Sequence, residues 1–377
     1  MTTLSSPGPD VRTSAGDILP PTSQRGLVGW ARQNLFSSWL NTAVTLVVAY
    51  LVARWAIGFI DWAFINAVWS VPNSNTAACR ELRGAGACWA LITEKHRFIL
   101  FGTYPYEEHW RPALVCLLFV ALYAVSTIRR FWNRTLLLVW AVGIAAIGVL
   151  MWGGVFGLPF VDQERWGGLP ITLILATFGI FLAFPLAILL ALGRTATGLP
   201  AIRALSVLYI ELIRGVPLIS VLFMASVMFP LFLPEGLSID KLLRAQIAFI
   251  MFAAAYLAEV IRGGLQAIPK GQTEAASALG LGYWQKTRLI VLPQALRIVI
   301  PPLVNTFIGM FKDTSLVLII GIYDLLNAAK TSIIEPAWQG FGVEAYIAVS
   351  LLYFCFCFAM SKYSQKLEVD LNHGARR

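Results

Sequence analysis

Of 377 residues, 58% are hydrophobic and 13% are charged. Soluble domains carry about 25% charged residues, so the composition excludes a soluble globular protein and predicts an all-α polytopic membrane protein. The net charge of +9 would raise nucleic acid as a partner of a soluble chain. Here the excess sits beside apolar stretches, as cytoplasmic loops require, so membrane lipid and not nucleic acid is expected around this chain.

Residues 1–34 read as a disordered cytoplasmic tail. Residues 1–24 are rich in Ser, Thr, Pro and Gly and lack the apolar core of a cleavable signal. Eight apolar stretches are then long enough, or nearly so, to cross about 30 Å of hydrocarbon. They fall near 35–54, 113–128, 136–157, 169–193, 207–233, 243–262, 298–325 and 343–362. Arg54 and Asp61 interrupt the first, whose continuation with Trp55, Trp62 and Trp69 suits a membrane boundary. Pro185, Pro217 and Pro230 fall inside spans, where neighbouring helices satisfy the freed carbonyls.

A long loop, 70–112, follows the first span and carries Cys79 and Cys88. With the 264–297 connection in the cytoplasm, as the resemblance given below implies, counting spans outward puts this loop in the periplasm, where thiols are oxidised. Gly84 and Gly86 make a bend between the two cysteines sterically easy, so a disulfide is expected there. The other cysteines, Cys116, Cys355 and Cys357, fall inside apolar spans and read as small packing residues. The chain divides near residue 165. Residues 35–165 form an extension of about three spans, 166–366 hold five more, and 367–377 form a C-terminal tail.

Charges inside spans are costly and therefore informative. Glu211 and Arg214 lie three residues apart on one helix face, and Glu259 and Arg262 repeat that spacing. Both pairs read as intrahelical ion pairs or as groups facing a polar path. Lys312 and Asp313 fall mid-span and are followed by Thr314 and Ser315. Two adjacent opposite charges with two hydroxyls predict either a polar cavity or a buried ion pair between helices.

Between the sixth and seventh stretches, residues 264–297 make a connection that is long, polar and locally helical. Thr273–Leu279 predicts a short helix that Gly280 ends, since glycine takes the left-handed conformation at little cost. Tyr283–Val291 predicts a second helix, stopped by Pro293. The small alanines permit close approach by another surface, and Glu274 offers it one charge. Such an element suits a groove on a second protein.

The spacing Glu274-Ala275-Ala276, three residues, Gly280, nine residues, Ile290, one residue, Leu292-Pro293 resembles the cytoplasmic coupling loop of permease subunits of bacterial ATP-binding-cassette importers. The stretches ELIRGVPL, AYLAEVIRGGLQAIPKGQTEAA and FKDTSL are similar to the polar amino-acid permeases, over about residues 169–366. The extension resembles the larger permease subunits of general L-amino-acid systems. The resemblance implies a five-helix permease core, a homologous or identical second permease, two ATPase subunits, a periplasmic substrate-binding protein and an amino-acid substrate. It implies a multi-pass protein of the bacterial inner membrane with both termini cytoplasmic. Lys312, Asp313, Thr314, Ser315, Glu211 and Arg214 become candidates for the substrate path.

No G-x-x-x-x-G-K-[ST] loop occurs, and no glycine precedes a lysine anywhere. A chain that hydrolyses ATP needs backbone amides and a lysine around the phosphates, so this one is no ATPase. ATP-Mg is expected on a partner, with no metal or cofactor on this chain. Three other readings remain at this stage: an importer for another small solute, a proton-driven secondary transporter, and a membrane-bound enzyme or receptor. The last predicts an appended soluble domain or clustered intramembrane His, Asp and Glu, and the sequence has neither.

Overall fold

The computed structural model describes residues 26–71, 76–234, 236 and 238–373. Among them there is no strand. Seven helices are long and apolar enough to cross a membrane, and the number reaches eight if a bent helix pair is counted as one span. Two compact units form, one of residues up to 67 with 79–87, the other of 68–78 with the rest of the chain.

In the first unit, helix α1 spans Gly26–Asn34. The tail expected over 1–34 is therefore helical over its last nine residues, and the part before residue 26 lies outside the described residues. Ser38 caps helix α2, Trp39–Ile60, by accepting the Asn41 amide at 3.2 Å. A wider turn, Asp61–Ile65, prolongs α2 into an apolar rod of 27 residues, so Arg54 and Asp61 do not interrupt it. No residue of α2 is buried. A helix that is apolar all round and has no packed face suits a lipid surround.

Helix α3 spans Ala77–Glu81; its first two residues belong to the second unit and the rest to the first. The second unit begins its long helices with α4, Ala90–Phe101, and α5, Trp110–Ser126. Helix α6, Arg134–Trp152, is capped by Asn133, which accepts the Thr135 amide at 2.8 Å. Arg111 at the start of α5 is fully buried and donates to the carbonyls of Leu150 and Pro159 at 2.6 and 2.9 Å. It thereby satisfies one carbonyl at the end of α6, where no intrahelical donor follows, and one in the loop after it.

The core of this unit is the pair α7, Gly168–Thr195, and α10, Lys241–Gln266. Ala176, Gly179, Ala183, Ala187 and Ala191 recur at three- and four-residue spacing on α7, and all are buried. A Cβ on Gly179 would lie 2.5 Å from Phe249 of α10. Small residues let the two backbones approach, which is how membrane helices gain packing without a hydrophobic drive between them.

The stretch expected as one span over 207–233 is broken. Helix α8, Pro200–Arg214, is bent by 101° against Leu218–Phe232, which begins as α9, Leu218–Phe223. Pro217 takes φ −59° and ψ 142° at the break. It lacks the amide that would carry the helix on, and here the freed carbonyls end a helix instead of being absorbed inside one.

The coupling segment follows α10 as α11, Lys270–Ala278, and α12, Tyr283–Lys286. A π turn, Thr287–Val291, leads to α13, Leu292–Ile298. Pro293 therefore does not stop the second helix. It sits in the first turn of α13, where its missing amide costs nothing. The chain ends with α14, Ile300–Asp313, a 3-10 stretch Thr314–Ile320, α15, Leu325–Ser332, and α16, Gly342–His373.

Candidate functional site

The coupling segment folds as two short helices joined by a tight corner. Gly280 has φ +76°, and the Gly280 and Leu281 amides donate to Ser277 and Ala276 at 2.9 and 3.1 Å. This is a glycine closing a helix end in the left-handed region. Lys286 Nζ donates to Ser277 Oγ at 2.8 Å and ties α12 to α11. The Gly282 amide donates to Gln285 Oε1 at 3.0 Å and starts α12.

The motif residues divide by exposure. Glu274, Ala275 and Gly280 are exposed, together with Leu279, Tyr283, Trp284 and Leu289. Ala276 is 1% exposed, and Ile290 and Leu292 are half-buried. Inward residues anchor the segment, and outward ones form a surface of small, aromatic and acidic side chains around one glycine corner. Pro293 is exposed on the first turn of α13. Behind it, Ala295 is buried where α13 meets α10, so close that a Cβ on Gly264 would fall 2.7 Å from the Ala295 carbonyl oxygen.

At the ends of α7, α8 and α10 the charges form a network across helices. Arg194 Nη1 lies 2.7 Å from Glu211 Oε1 and 3.2 Å from Glu259 Oε1. Glu259 Oε2 is 2.9 Å from Arg262 and 3.6 Å from Arg214. The expected Glu259–Arg262 pair exists, whereas Glu211 and Arg214 each turn to another helix. Arg194 displaces Arg214 as the partner of Glu211 because it reaches both carboxylates at once. Arg214 instead stacks over the Tyr256 ring at 5.5 Å.

Lys312 and Asp313 close α14, with Lys312 exposed and Asp313 half-buried. Neither side chain has a hydrogen bond or an ion pair to another helix among the described residues. Thr314 and Ser315 donate their hydroxyls to the carbonyls of Phe311 and Lys312 at 2.8 and 2.9 Å.

Directly behind this turn lies a buried polar node whose members the sequence reading missed. Asp324 is fully buried and caps α15, accepting the amides of Leu326 and Asn327 at 3.2 and 3.1 Å. It also accepts the Tyr353 hydroxyl of α16 at 3.0 Å. Thr172 Oγ1 of α7 accepts the Leu325 amide at 3.1 Å, and Asn327 Nδ2 reaches the Ser315 carbonyl at 2.9 Å. The available signal was Asp324 as a helix N-cap before LLNAAKTS. The node's other members, Thr172, Ser315 and Tyr353, come from three other segments, and no local pattern announces them.

Cys79 and Cys88 are both in the disulfide form, whereas Cys116, Cys355 and Cys357 are free thiols.

Helices long and apolar enough to span a membrane on both sides of an exposed two-helix corner define a polytopic membrane protein with a surface open to a partner. The match to known sequences has the same content. Residues 183–369 fit the family described as "binding-protein-dependent transport system inner membrane component". A relative from Escherichia coli K12, the inner membrane amino-acid ABC transporter permease protein YhdY, is 48% identical over 93% of this chain and 95% of its own length. The glutamate/glutamine/aspartate/asparagine transport system permease protein BztC of Rhodobacter capsulatus is 38% identical over 94% and 96%. A crystal structure of an amino acid ABC transporter with histidines superposes with a TM-score of 0.48, at 32% identity, over 54% of this chain and 92% of that one. The chain belongs to the binding-protein-dependent transport system inner membrane component family. It is the membrane-embedded permease of an ATP-binding-cassette importer, is not itself the catalytic subunit, and spans the inner membrane several times. Permeases of this kind work with an ATPase and a substrate-binding partner.

Proposed function

We propose that the chain imports L-amino acids, over a broad range, as one half of a permease pair. The observation that carries this reading is similarity along nearly the whole chain, extension included, to relatives named for amino-acid transport. The second half is an identical or homologous permease, and two ATPase subunits and a periplasmic binding protein complete the assembly. ATP-Mg binds on the ATPases.

The exposed face of α11 and α12 enters a groove of the ATPase. The glycine corner lets both helices present side chains to that groove, and Ala276, Ala295 and the α13–α10 contact pass its movement to the spans. The Lys312 ammonium and Asp313 carboxylate have no hydrogen-bonded side-chain partner among the described residues, which supports their use on a zwitterion carrying the opposite pair of charges. Thr314, Ser315, Glu211 and Arg214 complete the proposed path; the first two position the turn, and the last two hold the helix ends.

With the bent pair α8–α9 counted as one crossing, both termini lie on the side of the coupling segment, the cytoplasm. Uptake of labelled amino acids by cells with and without the chain tests the reading. Uptake of another solute, or uptake that survives loss of the ATPase, would replace it.

A further inference from the structure

A cavity of about 790 Å3 opens where the ends of α7 and α10 and the start of α8 meet the coupling segment. Four cationic side chains line it, Arg194, Arg203, Arg262 and Lys286, and no carboxylate does. Arg194 and Arg262 are already paired with Glu211 and Glu259. Lys286 spends one donor on Ser277. The Arg203 side chain is exposed and makes no hydrogen bond or ion pair among the described residues. Thr287, 7% exposed, adds a hydroxyl, while Leu265 and Val291 make part of the wall apolar.

Uncompensated arginine and lysine donors beside hydroxyls are the chemistry that holds a phosphate. The apolar wall is not. It fits the glycerol and first methylenes of an amphiphile. The helix that supplies Arg203 also presents Ile202 and Leu205, with Leu199 just before its first turn, as an exposed apolar row, which suits acyl chains. We infer that this cavity binds a phosphate-bearing anion, and that its mixed lining favours an anionic phospholipid headgroup as the source. The occupant touches α8 through Arg203 and the coupling segment through Lys286 and Thr287. It therefore ties the moving segment to the helix ends and makes the loop's position sensitive to the surrounding lipid.

The test uses the full chain purified in detergent and compared with an Arg203→Gln/Lys286→Gln double variant. Neither residue joins the Glu211–Glu259 network; Lys286→Gln gives up the tie to Ser277, so the Arg203→Gln single variant, which keeps α11 and α12 joined, is run beside it, and unfolding without added anion shows that each chain is folded. Native mass spectrometry follows retention of phosphatidylglycerol and of phosphatidylcholine through stepwise delipidation. Thermal unfolding is followed as inorganic phosphate is added without lipid. The wild-type chain should hold phosphatidylglycerol about 30-fold more tightly than the variant, with no such difference for phosphatidylcholine. If phosphate stabilises the wild type alone and phosphatidylglycerol is not retained, the anion site stands and free phosphate is its source. Equal behaviour of the two chains toward both anions overturns the site. Binding is read without ATPase or transport, so failure of the import reading leaves this result intact.

Discussion

The coupling segment and the Asp324 node are both polar structures in an apolar protein, and they are built in opposite ways. The coupling segment draws on one continuous stretch, Lys270–Ile298, and leaves Glu274, Ala275, Gly280 and Trp284 exposed. The node gathers Thr172, Ser315, Asp324, Asn327 and Tyr353 from four separated places and hides Asp324 completely. A surface made to meet a partner tolerates change within the chain and fails in the complex. A buried node fails in the chain, because each donor or acceptor left without a partner costs the full desolvation of that group.

The difference is sharpest at Gly280. No atom lies within 4 Å of a Cβ built there, so only the φ of +76° resists a side chain. Asp is among the residues that tolerate the left-handed region. Gly280→Asp should abolish uptake and release or uncouple the ATPase, with normal abundance of the chain in the membrane. Normal transport by that variant would break the assignment of the corner as the docking point.

Asp324→Ala should act on the chain itself. It leaves the buried Asn327 amide, the half-buried Leu326 amide and the Tyr353 hydroxyl without the Asp324 acceptor and removes a helix cap. The expected loss is about 3 kcal/mol of stability, read as a lowered unfolding temperature of the detergent-solubilised protein. Asp324→Asn keeps one acceptor oxygen and should lose less. An Ala variant that melts with the wild type would show that the node is not structural.

Two neighbours within the coupling motif separate the roles on one helix. Ala276 is 1% exposed whereas Ala275 is exposed. Ala276→Leu should cost about 2 kcal/mol through overpacking. Ala275→Leu should leave stability unchanged and weaken co-purification with the ATPase. The same effect from both would mean that burial does not divide the motif.

The smallest effect is expected at Asp313, which lies beside the node but takes no part in it. Asp313→Asn should shift amino-acid affinity by about tenfold at normal abundance, measured as the concentration dependence of uptake. Lowered abundance with unchanged affinity would move Asp313 from the path to the scaffold.

The sequence by itself determined what depends on local order. Apolar length announced the all-α membrane class, and seven of the eight expected stretches hold a helix long and apolar enough to cross a membrane, because a helix in hydrocarbon must satisfy its own backbone over about 20 residues. The glycine corner was legible for the same reason: Gly280 and the helix formers around it are neighbours in the chain. Other features were decided by contacts between distant segments. Pro217 breaks a span although its surroundings are apolar throughout, and Pro293 begins a helix although proline alone reads as a stop. Arg194 takes Glu211 from Arg214, which is nearer in sequence, because α7 and α10 pack closely enough to bring Glu259 to the same guanidinium. The Asp324 node exists only once α7, α15 and α16 have met. A hydrogen bond requires its partners within about 3 Å, and residues 172, 324 and 353 come within that reach through packing alone.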